Sequence, residues 1–499
     1  MYIGYDIKNG VSYAKICESH RINGKVVIKQ KSLGRVLDKE KGIYKNRERG
    51  VFTYDVKTNT YGVPESATVP RVVSPKSEKL ILDFGDSWFL DKYVKSKGLD
   101  KVIDQIDYGN NDSVRALIQY YILCNSANRN AALWYEGSSA RILYPKANLE
   151  SQRISDMLNA LGDEWTYRSF FKAYLTLLAK SKNGENILID STGLPNSIHF
   201  PLTAISNHNG KISNEVRLIY VVQQNTNLPL YFRYVSGNII DVSTLTKTIL
   251  ELKALNVDTK FAVLDAGYLT DENMNELFDA DVSFLSRMKE NTSLYKTVVD
   301  GHLSTLESEE NLVSYNGRYC YVKRVKTTCW NRTVYAYLGR DLTMQSLENN
   351  KLYERAESKK LSPADVHKAR KAHGLFVLIS SRPIAVDQVL PKYYMRAQIE
   401  QVFDVCKNNT NMLPLRVQSE ETFRGHLLVS FIASVIVRML QDDLAKSQYT
   451  PENAFMSLRQ HKCKVFDDHV LTMESAKKAN DVYKMFKFKV PHTISIGCN

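Results

Sequence analysis

Three carboxylates in this chain stand in settings that could carry chemistry. Asp190 closes the apolar run of "NILIDSTG", and Asp265 closes that of "FAVLDAGY". Each run reads as a buried strand, and each aspartate precedes a turn of small residues. Glu400 lies far downstream, in "KYYMRAQIEQVFDVCKNN", residues 392–409. An aspartate after a strand is commonly a turn or helix-cap residue. Two of them with a helix glutamate have a more specific use, because three carboxylates can hold two Mg²⁺ ions about 4 Å apart. Mg²⁺ takes oxygen ligands and keeps water and substrate phosphates in its shell. The reaction served by such a pair is phosphodiester cleavage or transfer.

Residues 392–409 predict an amphipathic helix. At about 100° per residue, Tyr393, Arg396, Glu400 and Lys407 fall within a stripe roughly 60° wide. Met395, Ile399, Val402, Val405 and Cys406 point away from it, toward a core. A solvated face carrying an ion pair would have the same pattern.

The elements needed to position these groups are legible around them. "NILID" (186–190) is followed by "EVRLIYVVQQ" and "LPLYFRYVSG", two strands joined as a hairpin. A helix in "VSTLTKTILELKAL" leads to the strand "KFAVLD" (260–265), then the helix "DENMNELFDA" and the strand "VSFLSRMK". A strand-rich segment and a charged helical piece intervene before "GLFVLISS" (374–381) and the 392–409 helix. The order β-β-β-α-β-α-β, insertion, β-α predicts an α/β mixed sheet with helices on its faces. In such sheets ligands bind at the carboxyl ends of the strands.

Upstream, residues 1–60 hold 13 Lys/Arg against 6 Asp/Glu. Short strands such as "VSYAKICES" and "GKVVIKQKSLG" suit either a solvated sheet or a DNA-contacting region. "YGVPESATVPRVVSP" (61–75) reads as a linker, and about 86–180 reads as helical. The expected divisions are 1–75 basic and strand-rich, 76–184 helical, 185–295 and 373–445 the two parts of the α/β core, 296–372 a β-rich insertion, and 446–499 helical.

The 499 residues carry a net charge of +13, with 43% hydrophobic and 24% charged residues. That is a globular composition, and the basic balance favours a polyanion partner, nucleic acid before an acidic membrane. Seven scattered cysteines form no C-x-x-C pair, which argues against a zinc site or disulfide framework. No phosphate loop, G-x-S-x-G elbow or H-E-x-x-H motif occurs. The start "MYIGYDIKNG" lacks a signal pattern. The apolar run 427–437 is too short to span a bilayer, so a cytoplasmic location and no membrane partner are expected.

The spacing Tyr393-x2-Arg396-x3-Glu400-x6-Lys407 resembles the YREK signature of bacterial insertion-sequence DDE transposases. Asp190 and Asp265 fall where that family has its first two catalytic aspartates. "DAGYLTDENMNEL" and "KNNTNMLPLRVQSEETFRGHLLVSFIASVI" are also similar to the group. The likeness is strong over about 185–440 and loose over 1–180. It implies a ribonuclease H-like core interrupted by a β-rich insertion, with an N-terminal strand/helix region that binds DNA. It implies Mg²⁺-dependent cleavage at transposon ends (two ions, with Mn²⁺ as a substitute), then transfer of the 3′ strand into target DNA. Asp190, Asp265 and Glu400 would be the metal ligands. Arg396, Lys407 and Tyr393 would face phosphates. Trp330, in "KTTCWNRT", would stack on a flipped base or else sit in the core, and Arg287 and Lys289 could touch DNA. The implied partners are double-stranded terminal inverted repeats, target DNA and a second copy of the chain, at the bacterial nucleoid. A catalytically silent DNA-binding or regulatory protein, and a ribonuclease H-like nuclease without strand transfer, are the competing readings.

Overall fold

The computed structural model describes the chain apart from residues 9, 23–24, 47–48, 63, 65–79, 107, 125, 180–185, 197–199, 201, 209–210, 225, 239–243, 360, 411, 416 and 497–499. Most of the segment read as a linker, 61–75, lies outside the described residues. The chain divides into two compact units, Met1–Ser77 and Glu78–Asn499.

The first unit is an antiparallel meander of β1 (Tyr2–Lys8), β2 (Val11–Ile22), β3 (Lys25–Asp38), β4 (Ile43–Asn46), β5 (Gly50–Asp55) and β6 (Thr60–Gly62), paired in chain order. One face collects Ala14, Ile16, Leu33, Tyr44, Phe52 and Tyr54 into a small core. A register shift opposite Ala14 and Lys15 makes Leu33 an extra residue in β3. Gly34 beside it has φ +102, and a side chain there would collide with the Lys45 carbonyl. Only glycine meets both demands of this bulge.

The second unit begins with β7 (Leu80–Asp83) and a helical region that includes Gly85–Ser96, Asn111–Leu123, Ser151–Leu161 and Glu164–Ala179. There follow β8 (Asn186–Pro195), β9 (Ala204–His208), β10 (Lys211–Gln223), β11 (Pro229–Ser236), β12 (Phe261–Leu264) and β13 (Ser283–Arg287). Beyond them come β14 (Leu312–Tyr315), β15 (Arg318–Cys329), β16 (Arg332–Asp341) and β17 (Leu375–Ser380). All ten from β8 to β17 join one sheet in the order β11-β10-β8-β12-β13-β17-β16-β15-β14, with β9 on β10. Within it β8, β12 and β13 are parallel, and β10 runs antiparallel to both β8 and β11. Five strands ordered 3-2-1-4-5 with only the second reversed make a ribonuclease H-like fold. The strands β14–β16 continue this same sheet through β17, which pairs antiparallel with both β13 and β16.

The central strands read "FAVL" and "LFVLIS" and are buried along their whole length, as strands covered on both faces must be. One cover is the helix Glu420–Leu444, whose Phe431 packs on Phe171, Tyr220 and Phe232. By length and composition this helix could cross a membrane, yet 83% of its most apolar stretch is buried inside the protein. The segment 446–499, expected to be helical, also carries β18 (Lys462–Val465), β19 (His469–Thr472) and β20 (Thr493–Ser495). They add to β7 as a four-stranded sheet. A hairpin of alternating apolar residues finds its partner in β7, at the opposite end of this unit's sequence, which no local pattern announces.

Candidate active site

The two aspartates become neighbours through strand pairing. Parallel register sets Leu264 of β12 opposite Ile189 of β8, and Asp265 and Asp190 come next on each chain. The strands then differ. Asp265 ends β12 and opens a single 3-10 turn, where its carbonyl accepts from the Tyr268 N–H (3.1 Å) and the Ser286 hydroxyl (3.2 Å). Asp190 does not end its strand, contrary to expectation. It pairs with Tyr220, and β8 continues to Pro195. The cause is the length of β10, which goes on pairing after β12 has stopped.

The 392–409 segment is also not one α-helix. A helix Val386–Tyr394 stops at a turn through Met395 and Arg396. The helix Ala397–Asp404 follows, then a π-helical turn Val405–Asn409. Arg396 and Ile399 N–H groups donate three residues back, to Tyr393 and Arg396 carbonyls, so the chain tightens there. Packing sets its place over the sheet. Phe403 meets the Tyr220 ring edge-on at 5.7 Å, and the Cys406 thiol donates to the Tyr220 hydroxyl at 3.4 Å. Tyr220 is the residue beside Asp190, so this anchor holds the helix over the aspartates.

Arg396 uses that position. Its guanidinium donates to the Asp265 carboxylate and lies 3.7 Å from Asp190 Oδ2. Burial would pull its pKa down, but the two aspartates outweigh this and hold it above the ordinary value. Tyr393 is buried beside it, and burial raises the phenol pKa. Arg287, exposed at the end of β13, lines a shallow pocket with Tyr393 and Tyr394. Lys407, on the π turn, donates to Thr192 Oγ1 at 2.6 Å and the Gly193 carbonyl at 3.1 Å. Thr192 lies two residues past Asp190 and on the same face of β8. Burial lowers the Lys407 pKa, against an opposing pull from Glu215.

Glu400 is exposed on the turn after Arg396 and makes no hydrogen bond or ion pair among the described residues. Lys289 is exposed two residues past β13. Trp330 occupies the two-residue turn between β15 and β16 with φ +52, its neighbour Asn331 at +54. Its indole N–H donates to Asp271 at 2.7 Å, and its ring meets Phe284 edge-on at 6.1 Å. The hairpin tip is thereby docked beside the segment that follows Asp265. Sequence reasoning missed Thr192, Gly193 and Glu215. The run of small residues after Asp190 was the available signal, since a side chain at Gly193 would collide with the Glu215 carboxylate.

Among the described residues, no three of His, Cys, Asp or Glu are gathered closely enough to hold a metal ion. Asp190 and Asp265 nonetheless fit a cation, because they already share one in the Arg396 guanidinium. Carboxylate oxygens are the donor chemistry a hard divalent cation takes.

A family model described as the transposase DDE domain matches residues 183–436. The search among curated proteins gave no match. Among solved structures, the chain is similar to one described as the piggyBac transposase synaptic complex with hairpin DNA. The identity is 12%, with 75% of this chain and 79% of that chain covered and a TM-score of 0.39.

Proposed function

The chain belongs to the family of transposases with a DDE domain, and from that premise we propose that it cuts double-stranded DNA at transposon ends and joins the freed 3′ strands to target DNA. The observation that carries this reading is the placement of Asp190 and Asp265 directly after the paired Ile189 and Leu264 of adjacent parallel strands, with Arg396 bonded to one and facing the other. Asp190 and Asp265 would hold divalent metal, with Glu400 as the third ligand. When bound, two Mg²⁺ ions (or Mn²⁺ in their place) supply Lewis-acid stabilisation of the attacking and leaving oxygens. Arg396 presents a planar fork suited to bidentate contact with a phosphate, and Lys407 a point charge. Both side chains hold positive charge beside the reacting phosphodiester, where positioning and neutralisation do most of the catalysis. Tyr393 and Arg287 flank Arg396 and extend the phosphate-facing surface. Lys289 continues it as an exposed cation. Trp330 presents an aromatic ring near the Asp265 loop for an unstacked base. Two DNA ends call for two copies of the chain, acting on the bacterial chromosome in the cytoplasm.

The test incubates purified protein and Mg²⁺ or Mn²⁺ with duplexes bearing the ends of the element that encodes it. Asp190→Asn and Glu400→Gln are expected to lose cleavage by at least about 10²–10³-fold while keeping DNA binding. Equal cleavage by wild type and Asp190→Asn would refute the site. Binding without cleavage by wild type would favour a silent DNA-binding protein, and cutting without joining a nuclease.

A further inference from the structure

Most of the chain's excess charge belongs to a small part of it. Positions 1–77 hold 15 Lys/Arg against 7 Asp/Glu, whereas positions 78–499 hold 52 against 47. Among the described residues of this unit, the acid–base pairs are Lys15 with Asp6 at 2.8 Å and His20 with Glu18 at 3.6 Å. Hydrogen bonds first, then the charges of Lys8 and Lys57, also draw down the Asp6 and Asp55 carboxyl pKa values. Most of the other Lys and Arg of this unit form no salt bridge among the described residues.

The sheet concentrates some of these cations at one concavity. A cleft of about 390 Å³ opens beside the small core, lined by Ile16, Glu18, Lys29, Lys31, Asn59 and Tyr61. Lys29 and Lys31 stand two residues apart on β3, opposite Glu18 and Ile16 in register. That puts them on the core-side face, about 7 Å apart along the strand. Arg49 lies with its guanidinium 4.2 Å from the centre of the Tyr61 ring. The Tyr54 hydroxyl donates to Asn59 at 2.7 Å, which steadies the far wall. The cleft therefore presents two lysines and the Tyr61 ring against one carboxylate, and the Arg49 guanidinium stacks on that ring. On the opposite face Arg35 and Lys45 sit directly across from each other, and they offer the same kind of charge without a concavity.

We propose that this cleft is a sequence-independent seat for the phosphate backbone of double-stranded DNA, gripped by Lys29, Lys31 and Arg49. The choice of DNA as the polyanion rests on the transposase reading above. Strand side chains spaced at intervals of about 7 Å can follow a line of phosphates, and neutralising each phosphate releases counterions. The seat reads charge and spacing, and contributes nothing to the choice of sequence.

The experiment uses the full chain in EDTA, so that binding is measured whether or not the protein cleaves. Fluorescence anisotropy follows affinity for random-sequence and end-bearing duplexes across a salt series. The variant Lys29→Gln/Lys31→Gln/Arg49→Gln is expected to weaken binding to both duplexes alike and to flatten the slope of log K against log salt by about 2.7, or 0.9 per contact. The control Arg35→Gln/Lys45→Gln is expected to change the slope by less than about 0.9, one contact. Circular dichroism and the melting temperature establish that each variant is folded. An unchanged slope in the folded triple variant would overturn the proposal. So would an equal loss in the control, a loss confined to the end-bearing sequence, or a loss seen only with phosphatidylserine vesicles. Failure of the wild type to cleave in Mg²⁺ would sink the transposase chemistry and leave this binding result standing.

Discussion

The Arg396 guanidinium is hydrogen-bonded to the Asp265 carboxylate, although the two residues are 131 positions apart and one ends a strand while the other begins a helix. It also faces Asp190 at 3.7 Å. One cation thereby offsets two carboxylates that would otherwise repel each other across adjacent strands. The same two carboxylates are the groups proposed to hold divalent metal, so a bound metal would compete with the guanidinium for them.

Arg396→Gln should therefore uncouple stability from metal affinity. Without Mg²⁺ or Mn²⁺ the variant should lose about 1–3 kcal/mol, the cost of leaving partly buried charged groups unpaired. Titration with Mn²⁺ should raise its melting temperature by more than it raises that of the wild type. Calorimetry should show tighter Mn²⁺ binding even as DNA cleavage falls. Identical Mn²⁺ responses in the two proteins would rule out competition.

Gly193 separates the Lys407 contact from the Glu215 carboxylate. Gly193→Ala forces that carboxylate to move, an overpacking that should cost about 1–3 kcal/mol. Lys407→Met leaves Glu215 in place and removes a cation, so it should weaken DNA binding and flatten the salt slope by about 0.9. A chemical denaturation series and anisotropy read the two effects separately. If Gly193→Ala is as stable as wild type, the close approach of Glu215 has no energetic weight.

Trp330 holds a left-handed backbone in a turn that favours Asn or Gly. A bulky residue there costs of order 1–3 kcal/mol, offset in part by the Asp271 hydrogen bond. Trp330→Asn should thus leave the melting temperature within a few degrees of wild type or above it. DNA processing should fall by about 5- to 160-fold, the 1–3 kcal/mol of one base–aromatic contact. Full activity in this variant would reduce Trp330 to a hairpin anchor.

His426 and His461 are both held below the ordinary histidine value, first by burial and against a raising hydrogen bond from the imidazole to a backbone carbonyl. A depressed folded-state pKa means that the unfolded chain binds protons first. Their contribution to stability is complete above pH 6.5, the ordinary value. It is lost as the pH falls from there toward the folded-state pKa values, by up to about 1.4 kcal/mol per pH unit for each residue. Melting temperatures between pH 5 and 8 should show this decline, and His426→Gln should remove part of it. A flat profile below pH 6.5 would contradict the assignment.

Local pattern was enough to find most elements and to single out three carboxylates as candidates. Apolar runs such as "FAVL" and "LFVLIS" announce buried strands by composition, and the spacing from Tyr393 to Lys407 is a property of the chain itself. The basic excess before residue 62 is likewise countable without coordinates. What local pattern could not decide was set by partners distant in sequence. Whether Asp190 ends a strand depends on how far β10 continues to pair. Whether 392–409 is one helix depends on how Phe403 and Cys406 seat on Tyr220, far back along the chain. The contact of Arg396 with Asp265, and of Lys407 with Thr192, exists only after that seating. Periodicity reports which side of an element is apolar, and hydrogen-bonded pairing across a sheet decides which element that side meets.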